Sequence, residues 1–141
     1  IHVETPRNVS SSFVHPGLGF RPLHACSCSK AILAFSDASL KQRILNGPKK
    51  QYTQNTKISK TELEIELQLI QAQGYAKCVE EIQDGIASVA VPIKVNNNNN
   101  LYSIGTIGPS HTFTKQKRSN LGNELVVIGD QFKWLVEHSF I

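Results

Sequence analysis

The clearest pattern of apolar and polar positions lies in residues 60–73, where it repeats with the period of an α-helix. Its apolar side chains fall at i, i+4 and i+7 on one face: Leu63, Leu67 and Ile70. Glu62 and Glu66 are expected on the solvated face. Ser59 has the capping-box spacing to Glu62, and Gly74 suits the left-handed residue that follows a helix. The pattern predicts an amphipathic helix with one buried face.

Two shorter helices are expected before this one. Residues 24–35 run from a proline turn into small and apolar residues, which predicts a first helix. Asp37 is a suitable N-cap for a second helix, which is expected to stop before Gly47 because Pro48 follows.

Runs of β-branched and alternating residues predict strands on both sides of these helices. Residues 1–4 and 11–14 are expected to form a hairpin. Three further strands are predicted after the third helix: residues 75–80, 86–95 and 101–107. The asparagines at 96–100 are interpreted as a hairpin tip, and Gly108-Pro109 is expected to end the last strand. The sheet is therefore predicted to be mainly antiparallel.

A final helix carries one apolar stripe at helical spacing: Leu121, Leu125, Ile128, Phe132 and Leu135. This stripe, Trp134 and Phe140 are all expected to pack inside the domain. No repeat is present, and since the helices accompany a sheet that is predicted to be mainly antiparallel, the predicted fold class is α+β, in a single domain over residues 1–141.

Length and composition bound the class of protein. A chain of 141 residues suits one domain with one core. With 40% hydrophobic and 18% charged residues it is expected to be neither disordered nor membrane-bound, since no apolar run approaches the roughly 18–20 residues of a span. The chain begins at Ile1 and contains no methionine, so we expect a piece of a longer protein.

The net charge of +4 raises the question of nucleic-acid binding. The basic residues are only loosely gathered: one group lies between residues 41 and 60, and a second, without interleaved aromatics, lies between residues 115 and 118. They are interpreted as solvated surface, with direct nucleic-acid contact as the alternative.

Candidate chemistry is sparse. Three cysteines do not make the disulfide framework of a secreted domain, which favours a reducing cytoplasm. The five histidines are scattered and the Cys26-Ser27-Cys28 run has no partner pair at zinc-site spacing, so neither a metal nor another cofactor is expected. Because no nucleophile-and-base signature is present, the chain is predicted not to be an enzyme.

The start of the first helix is the most suggestive site. Free N–H groups and the helix dipole favour a small anion there, and they also favour the thiolate form of Cys26 or Cys28. Two interpretations of these cysteines stay open: reactive thiols that sense oxidants, or inert buried residues.

A series of short motifs follows one another along most of the chain. They are Pro22-Leu23-His24-Ala25, Lys30-Ala31-Ile32-Leu33-Ala34, the threonine-containing loop at 52–56, Gly74-Tyr75-Ala76, Glu80-Glu81, Gly85, Ala90-Val91-Pro92 and Gly108-Pro109-Ser110. None is specific alone. In this order and spacing they resemble the C-terminal effector-binding domain of IclR-type transcriptional regulators.

This resemblance implies a GAF-like α+β fold, with a curved, mainly antiparallel sheet flanked by helices and a small-molecule pocket on one sheet face. By position, the implied effector-binding residues are Cys26, Ser27, Cys28, Ser29, Cys78, Ile86, Ser88, Gly105 and Ile107. The resemblance also implies a homodimer or homotetramer. Contact with DNA would be made only by an N-terminal winged-helix domain that this chain lacks.

Three positions depart from the family pattern. Ser29 replaces the usual glycine, where it would either bond a carboxylate or narrow the site. Cys78 stands where members that bind small oxo-acids tend to have an acidic side chain. The usual arginine after Gly108-Pro109 is missing, and only His111 is nearby. A less polar pocket favours a larger, partly apolar organic acid or an aromatic acid as the effector.

The predicted function is therefore effector binding and oligomerisation, with occupancy modulating DNA binding by a separate domain. Two alternatives remain. One is a GAF-like redox-sensing domain that acts through Cys26 and Cys28, and the other is a degenerate scaffold that keeps only the dimer contacts.

Overall fold

The computed structural model describes residues 20–95 and 100–139. Within them the elements follow in the order α1 (Ser27–Phe35), α2 (Ala38–Asn46), α3 (Lys60–Gln73), β1 (Ala76–Val79), β2 (Ile86–Lys94), β3 (Leu101–Pro109) and α4 (Lys115–Ser139). The predicted α+β class is confirmed. The expected hairpin before residue 15, most of the asparagine tip and Phe140 lie outside the described residues.

The three strands form one antiparallel sheet in the order β1-β2-β3. Alternate side chains of β2 point to opposite faces of the sheet, and helices pack against both faces. On one face Ala76 and Ala90 pack with α1 and α3. On the other face Val89 and Val91 pack with Leu125 of α4. The sheet is thus the middle of three layers.

The sequence located the helices closely. For α2, the Asp37 side chain accepts a hydrogen bond from the Leu40 N–H at 2.8 Å, as the N-cap prediction requires. For α3, the Ser59 hydroxyl accepts from the Glu62 N–H at 3.4 Å, and Gly74 has a left-handed φ of 86°. The three apolar residues predicted for the inner face of α3 are buried.

Two predicted boundaries are wrong. Helix α1 begins at Ser27 rather than three residues earlier, because a turn in which the Ala25 and Cys26 N–H groups donate to the Pro22 carbonyl precedes it. Strand β3 continues through Gly108 to Pro109, which pairs with Ile86. A proline is tolerated there because it is the last residue of the strand.

The packing predicted for α4 is also wrong in part. Its buried face is Gly122, Leu125 and Gly129, and a Cβ added to Gly122 would lie 2.6 Å from the Tyr75 ring. The glycines let the helix approach the sheet closely. Ile128, Phe132, Leu135 and Trp134, expected inside, are exposed. At about 100° per residue, Trp134 and Leu135 lie on the opposite side of the helix and Ile128 lies at its flank, whereas Phe132 lies on the same side as Leu125. Among the described residues, no helix is long and apolar enough to span a membrane.

A buried cluster of charges joins α1, α3 and the β1–β2 turn. The Lys30 ammonium donates to Glu66 Oε1 and to both carboxylate oxygens of Glu81, each at 2.9 Å. Lys57 Nζ lies 3.2 Å from Glu81 Oε1 and 3.4 Å from Glu66 Oε2. Two cations therefore balance two carboxylates. Glu66 is only 7% exposed, so the prediction that it faces solvent is wrong.

The threonine-containing loop closes over this cluster. The Thr56 hydroxyl donates to the Glu81 carbonyl at 2.6 Å and accepts from the N–H groups of Tyr52 and Thr53. The Thr53 hydroxyl donates to the Glu80 carbonyl at 2.5 Å. These bonds hold the turn in which Glu80 adopts a positive φ of 55°.

We expect Lys30→Met to lower the free energy of unfolding by about 3–5 kcal/mol, because it leaves two buried carboxylates with only Lys57 between them. Urea unfolding followed by circular dichroism measures this loss. Lys115→Met, at an exposed position in the first turn of α4, is the control and should change stability by less than about 0.5 kcal/mol. A loss no greater than that of the control would contradict a structural role for the cluster.

The cluster also makes stability depend on acid pH. Burial alone would raise the pKa of Glu66, but the ammonium groups of Lys30 and then Lys57 outweigh it and hold that pKa below its usual 4.5. Because the folded-state pKa is the lower one, the stabilisation is complete above about pH 4.5 and is lost as the pH falls through the folded value.

Glu66→Gln should therefore reduce stability at neutral pH and flatten the decline of unfolding free energy below about pH 4.5. Unfolding curves between neutral pH and pH 3 measure the slope. Glu62→Gln, at an exposed position on the same helix, should keep the native slope. Equal slopes for native chain and Glu66→Gln would overturn the assignment.

Candidate functional site

Most of the predicted binding residues lie on the sheet face that α1 covers. Cys78, Ser88 and Ile107 stand side by side across β1, β2 and β3. Gly105 belongs to the next row, and Ile86 to the row on the other side. The strand pairing thus brings residues from three separate segments to one face.

Helix α1 joins this face through Ser27 and Cys28. The Ser27 and Ser88 hydroxyls lie 2.7 Å apart and are buried, so each is the other's hydrogen-bond partner. A Cβ added to Gly105 would lie 3.0 Å from Cys28 Sγ and 2.9 Å from Ala90 Cβ. A glycine is therefore needed for α1 to approach β3 this closely.

Ser29 is placed differently from its neighbours. It is buried, but it follows Ser27 by two positions, which is about 200° around the helix. Its side chain therefore does not share the face of the Ser27–Ser88 pair. Of the proposed roles for Ser29, a direct bond to a ligand beside that pair receives no support from this position.

Cys26 is the N-cap residue of α1, and its thiol lies near the Ser29 N–H of the first helical turn. The N–H groups of the first helical turn are the ones that a helix cannot satisfy internally. Together with the helix dipole they make the end of α1 beside Ser27 attractive to an anion.

The thiols of Cys26 and Cys28 contact each other and titrate in opposite directions. A hydrogen bond from Cys28 lowers the pKa of Cys26 to about 5 against the effect of burial, with help from the Ser29 N–H and Arg21. The same contact, and then burial, raises the pKa of Cys28. Burial raises the pKa of Cys78. The thiolate of the site therefore belongs to Cys26.

The sequence analysis missed two polar residues beside the site. The Arg21 side chain reaches Cys26, and the Ser103 hydroxyl reaches Cys28. Ser103 precedes Gly105 by two positions and so shares its face, a signal that strand alternation provides. Arg21 lies just before the turn that precedes α1, where no pattern marks it.

The open part of the site lies over β3. Gly105 is exposed, whereas Ser103 and Ile107 are half-buried and Ser88 is buried. Concavities of about 190 Å³ and about 500 Å³ lie elsewhere, along α4. Neither of those two concavities lies at this face. The Ser27–Ser88 contact thus forms a polar seam between α1 and the sheet. Beside it, Gly105 and Ile107 of β3 form an open, mainly apolar strip.

Other candidate residues have structural explanations. His24 is buried, lies 2.9 Å from the Lys50 carbonyl through Nε2 and stacks on Tyr52, so it serves packing. His111 is exposed on the loop after β3. Within residues 20–95 and 100–139, no group of three histidine, cysteine or acidic side chains is placed to hold a metal ion.

Comparison with known proteins places these features in a family context. The family model described as "Bacterial transcriptional regulator IclR C-terminal" matches residues 2–134. The glycerol operon regulatory protein of Streptomyces coelicolor is 32% identical over 88 residues, which are 62% of this chain and 34% of that protein. The match thus spans about a third of the length of this curated relative.

Solved structures share the fold. The IclR protein of Thermotoga maritima superposes with a TM-score of 0.75 and 27% identity, over 82% of this chain and 47% of that one. The inducer-binding domain of PobR from Acinetobacter, solved as a double mutant with 3-hydroxybenzoic acid, gives a TM-score of 0.69 at 17% identity. It covers 80% of this chain and 66% of that one.

We expect Cys26 to react with iodoacetamide at neutral pH well before Cys28 and Cys78, because only its pKa is lowered and the thiolate is the nucleophile. Peptide mass spectrometry over time measures each rate. Arg21→Gln should slow the labelling of Cys26, and Arg43→Gln, at an exposed position on α2, is its control. Equal labelling of the three cysteines would contradict the assigned thiolate.

Proposed function

The chain belongs to the IclR C-terminal family of bacterial transcriptional regulators, and from that premise we propose that it is the effector-binding and oligomerisation domain of such a regulator. Membership in a family of regulators agrees with the prediction that the chain is not an enzyme. The effector would bind at the seam between α1 and the sheet.

One observation carries this proposal: the Ser27 and Ser88 hydroxyls meet at 2.7 Å beside the N-terminal end of α1. A carboxylate placed there would accept hydrogen bonds from a serine hydroxyl and from first-turn N–H groups. The Arg21 guanidinium, close to Cys26, offsets the negative charge of the Cys26 thiolate at the same end. The seam therefore suits the acidic end of a ligand.

The neighbouring strip suits an apolar body. Gly105 and Ile107 offer backbone and aliphatic surface beside the Cys28 thiol, and Ser103 is the polar group at its edge. A small, highly hydrated acid would gain little from these contacts. We therefore propose a larger, partly apolar organic acid or an aromatic acid. The PobR inducer-binding domain has the same fold and was solved with an aromatic acid.

The proposed binding set keeps all nine residues expected from the sequence: Cys26, Ser27, Cys28, Ser29, Cys78, Ile86, Ser88, Gly105 and Ile107. Ser27, Cys28, Ser88, Gly105 and Ile107 form its centre, with Arg21 and Ser103 added. Ser29 contributes only through its backbone.

At the level of the whole protein, we propose one domain over residues 1–141 acting with a separate N-terminal winged-helix domain in the cytoplasm. The domains would form a homodimer or homotetramer. An effector that binds one arrangement of the assembly more tightly than another would shift it and so change DNA binding.

A thermal-shift panel of aliphatic, sugar and aromatic acids, with 3-hydroxybenzoic acid and glycerol included, tests effector binding. An acid at 100 times its dissociation constant should stabilise the chain by about 2.7 kcal/mol, or roughly 10 °C in Tm. Ser88→Ala and Arg21→Gln should each reduce the shift. Ser39→Ala and Arg43→Gln, both at exposed positions on α2, should preserve it.

The same assay separates the alternatives. If no acid shifts Tm but an oxidant does, and Cys26→Ser with Cys28→Ser abolishes that response, the redox-sensing function replaces the proposal. If neither ligand nor oxidant has an effect, the domain is a scaffold. A shift that persists unchanged in Ser88→Ala and Arg21→Gln would place the effector elsewhere.

A further inference from the structure

Helix α4 is apolar on two opposite sides. Its sheet side is buried through Gly122, Leu125 and Gly129. At about 100° per residue, the opposite side of the helix is centred on Gln131. Four large apolar side chains flank Gln131 with about half of their surface exposed: Val127 56%, Ile128 47%, Trp134 59% and Leu135 53%. Such a concentration of exposed apolar groups on one face marks an interaction surface.

The apolar positions on this outer face are arranged symmetrically about Gln131. Counting from Gln131, apolar residues stand three and four positions away in each direction: Val127, Ile128, Trp134 and Leu135. Seven positions away stand Glu124 on one side and His138 on the other. A two-fold axis at Gln131 would therefore place apolar groups on apolar groups and a carboxylate beside an imidazole. The face is complementary to itself, as an isologous interface requires.

The spacing also suits helix pairing. The outer face contains residues at intervals of four and three, as in a coiled-coil seam: Glu124, Ile128, Gln131, Leu135 and His138. This row of five residues on α4 is about 21 Å long. The Gln131 amide has both donor and acceptor groups, so two copies that meet at the axis satisfy each other.

Space for a partner side chain is present on the same face. A shallow, largely open depression there is bounded by Asp130, Gln131, Trp134 and Leu135. The Trp134 ring stacks on His138 with centroids 4.6 Å apart, which holds one wall in place. A large apolar side chain from a facing helix would fill such a hollow, in the knob-into-hole manner of paired helices.

We infer that α4 pairs in antiparallel orientation with α4 of a second copy of this chain, through residues 124–138 and about a two-fold axis at Gln131. This inference rests on the proposed oligomerisation and names the surface that performs it. This surface is separate from the proposed effector site, which lies on the other face of the sheet.

Analytical ultracentrifugation of the 141-residue chain over a range of concentrations tests the pairing. We expect a dimer whose dissociation constant rises by at least about tenfold in Leu135→Glu and in Val127→Glu, because each substitution places a charge from both copies among the apolar residues of the outer face. Asn123→Glu, also exposed on α4 but off the seam, should leave the constant unchanged. Thermal melts show whether each variant remains folded.

Engineered disulfides test the orientation. At an antiparallel two-fold axis only the central residue meets itself, so Gln131→Cys should form a homodimeric disulfide. Ile128→Cys and Leu135→Cys should link poorly alone but should link to each other when mixed. Peptide mass spectrometry separates these links from those of the native cysteines.

A monomer at all concentrations would overturn both this inference and the oligomerisation in the proposed function. A dimer that persists in Leu135→Glu and Val127→Glu would overturn this surface and leave oligomerisation standing. Self-linking of Ile128→Cys as efficient as that of Gln131→Cys would indicate parallel helices, and links within one chain would indicate that another segment covers α4. Either result would overturn the inference.

Discussion

The arrangement of this domain depends on the ion pairs that the buried Lys30 ammonium group makes. A charge removed from water is tolerated only where opposite charges and hydrogen bonds surround it. Glu66 and Glu81 meet that requirement with three oxygens at 2.9 Å. Since these carboxylates come from α3 and from the turn after β1, the three segments cannot shift independently. We expect this cluster to contribute specificity of arrangement more than net stability.

This constraint also positions the proposed effector seam. Ser27 precedes Lys30 by one helical turn, so fixing the lysine against Glu81 fixes the serine against Ser88 on β2. The same placement brings Cys28 so close to β3 that Gly105 has no room for a side chain. The polar end of the seam is therefore preorganised, and a ligand loses little free energy in ordering it.

The sequence predicted most of the fold but only part of its interior. Asp37, Ser59 and Gly74 were predicted correctly as the residues that begin or end helices, because these signals depend only on neighbouring residues in the chain. The burial of Glu66 was missed because its partner, Lys30, lies 36 positions away in the chain. On the sheet side of α4 the predicted stripe included Leu125, whereas Gly122 and Gly129 were missed because glycines leave no mark on a hydrophobic pattern. For the proposed site, the resemblance to the family supplied nine residues, and strand alternation would have added Ser103.

The glycines of α4 have a consequence for the order of events in folding. Glycine lowers the stability of an isolated helix by up to about 1 kcal/mol relative to alanine, and the neighbouring β-branched residues of α4 are also modest helix formers. Gly122 and Gly129 favour α4 only once it lies against Tyr75 and Val91. The helix is therefore expected to complete itself on a sheet that already exists. Its outer apolar face becomes continuous at that late step, so chains still being folded do not present it to one another.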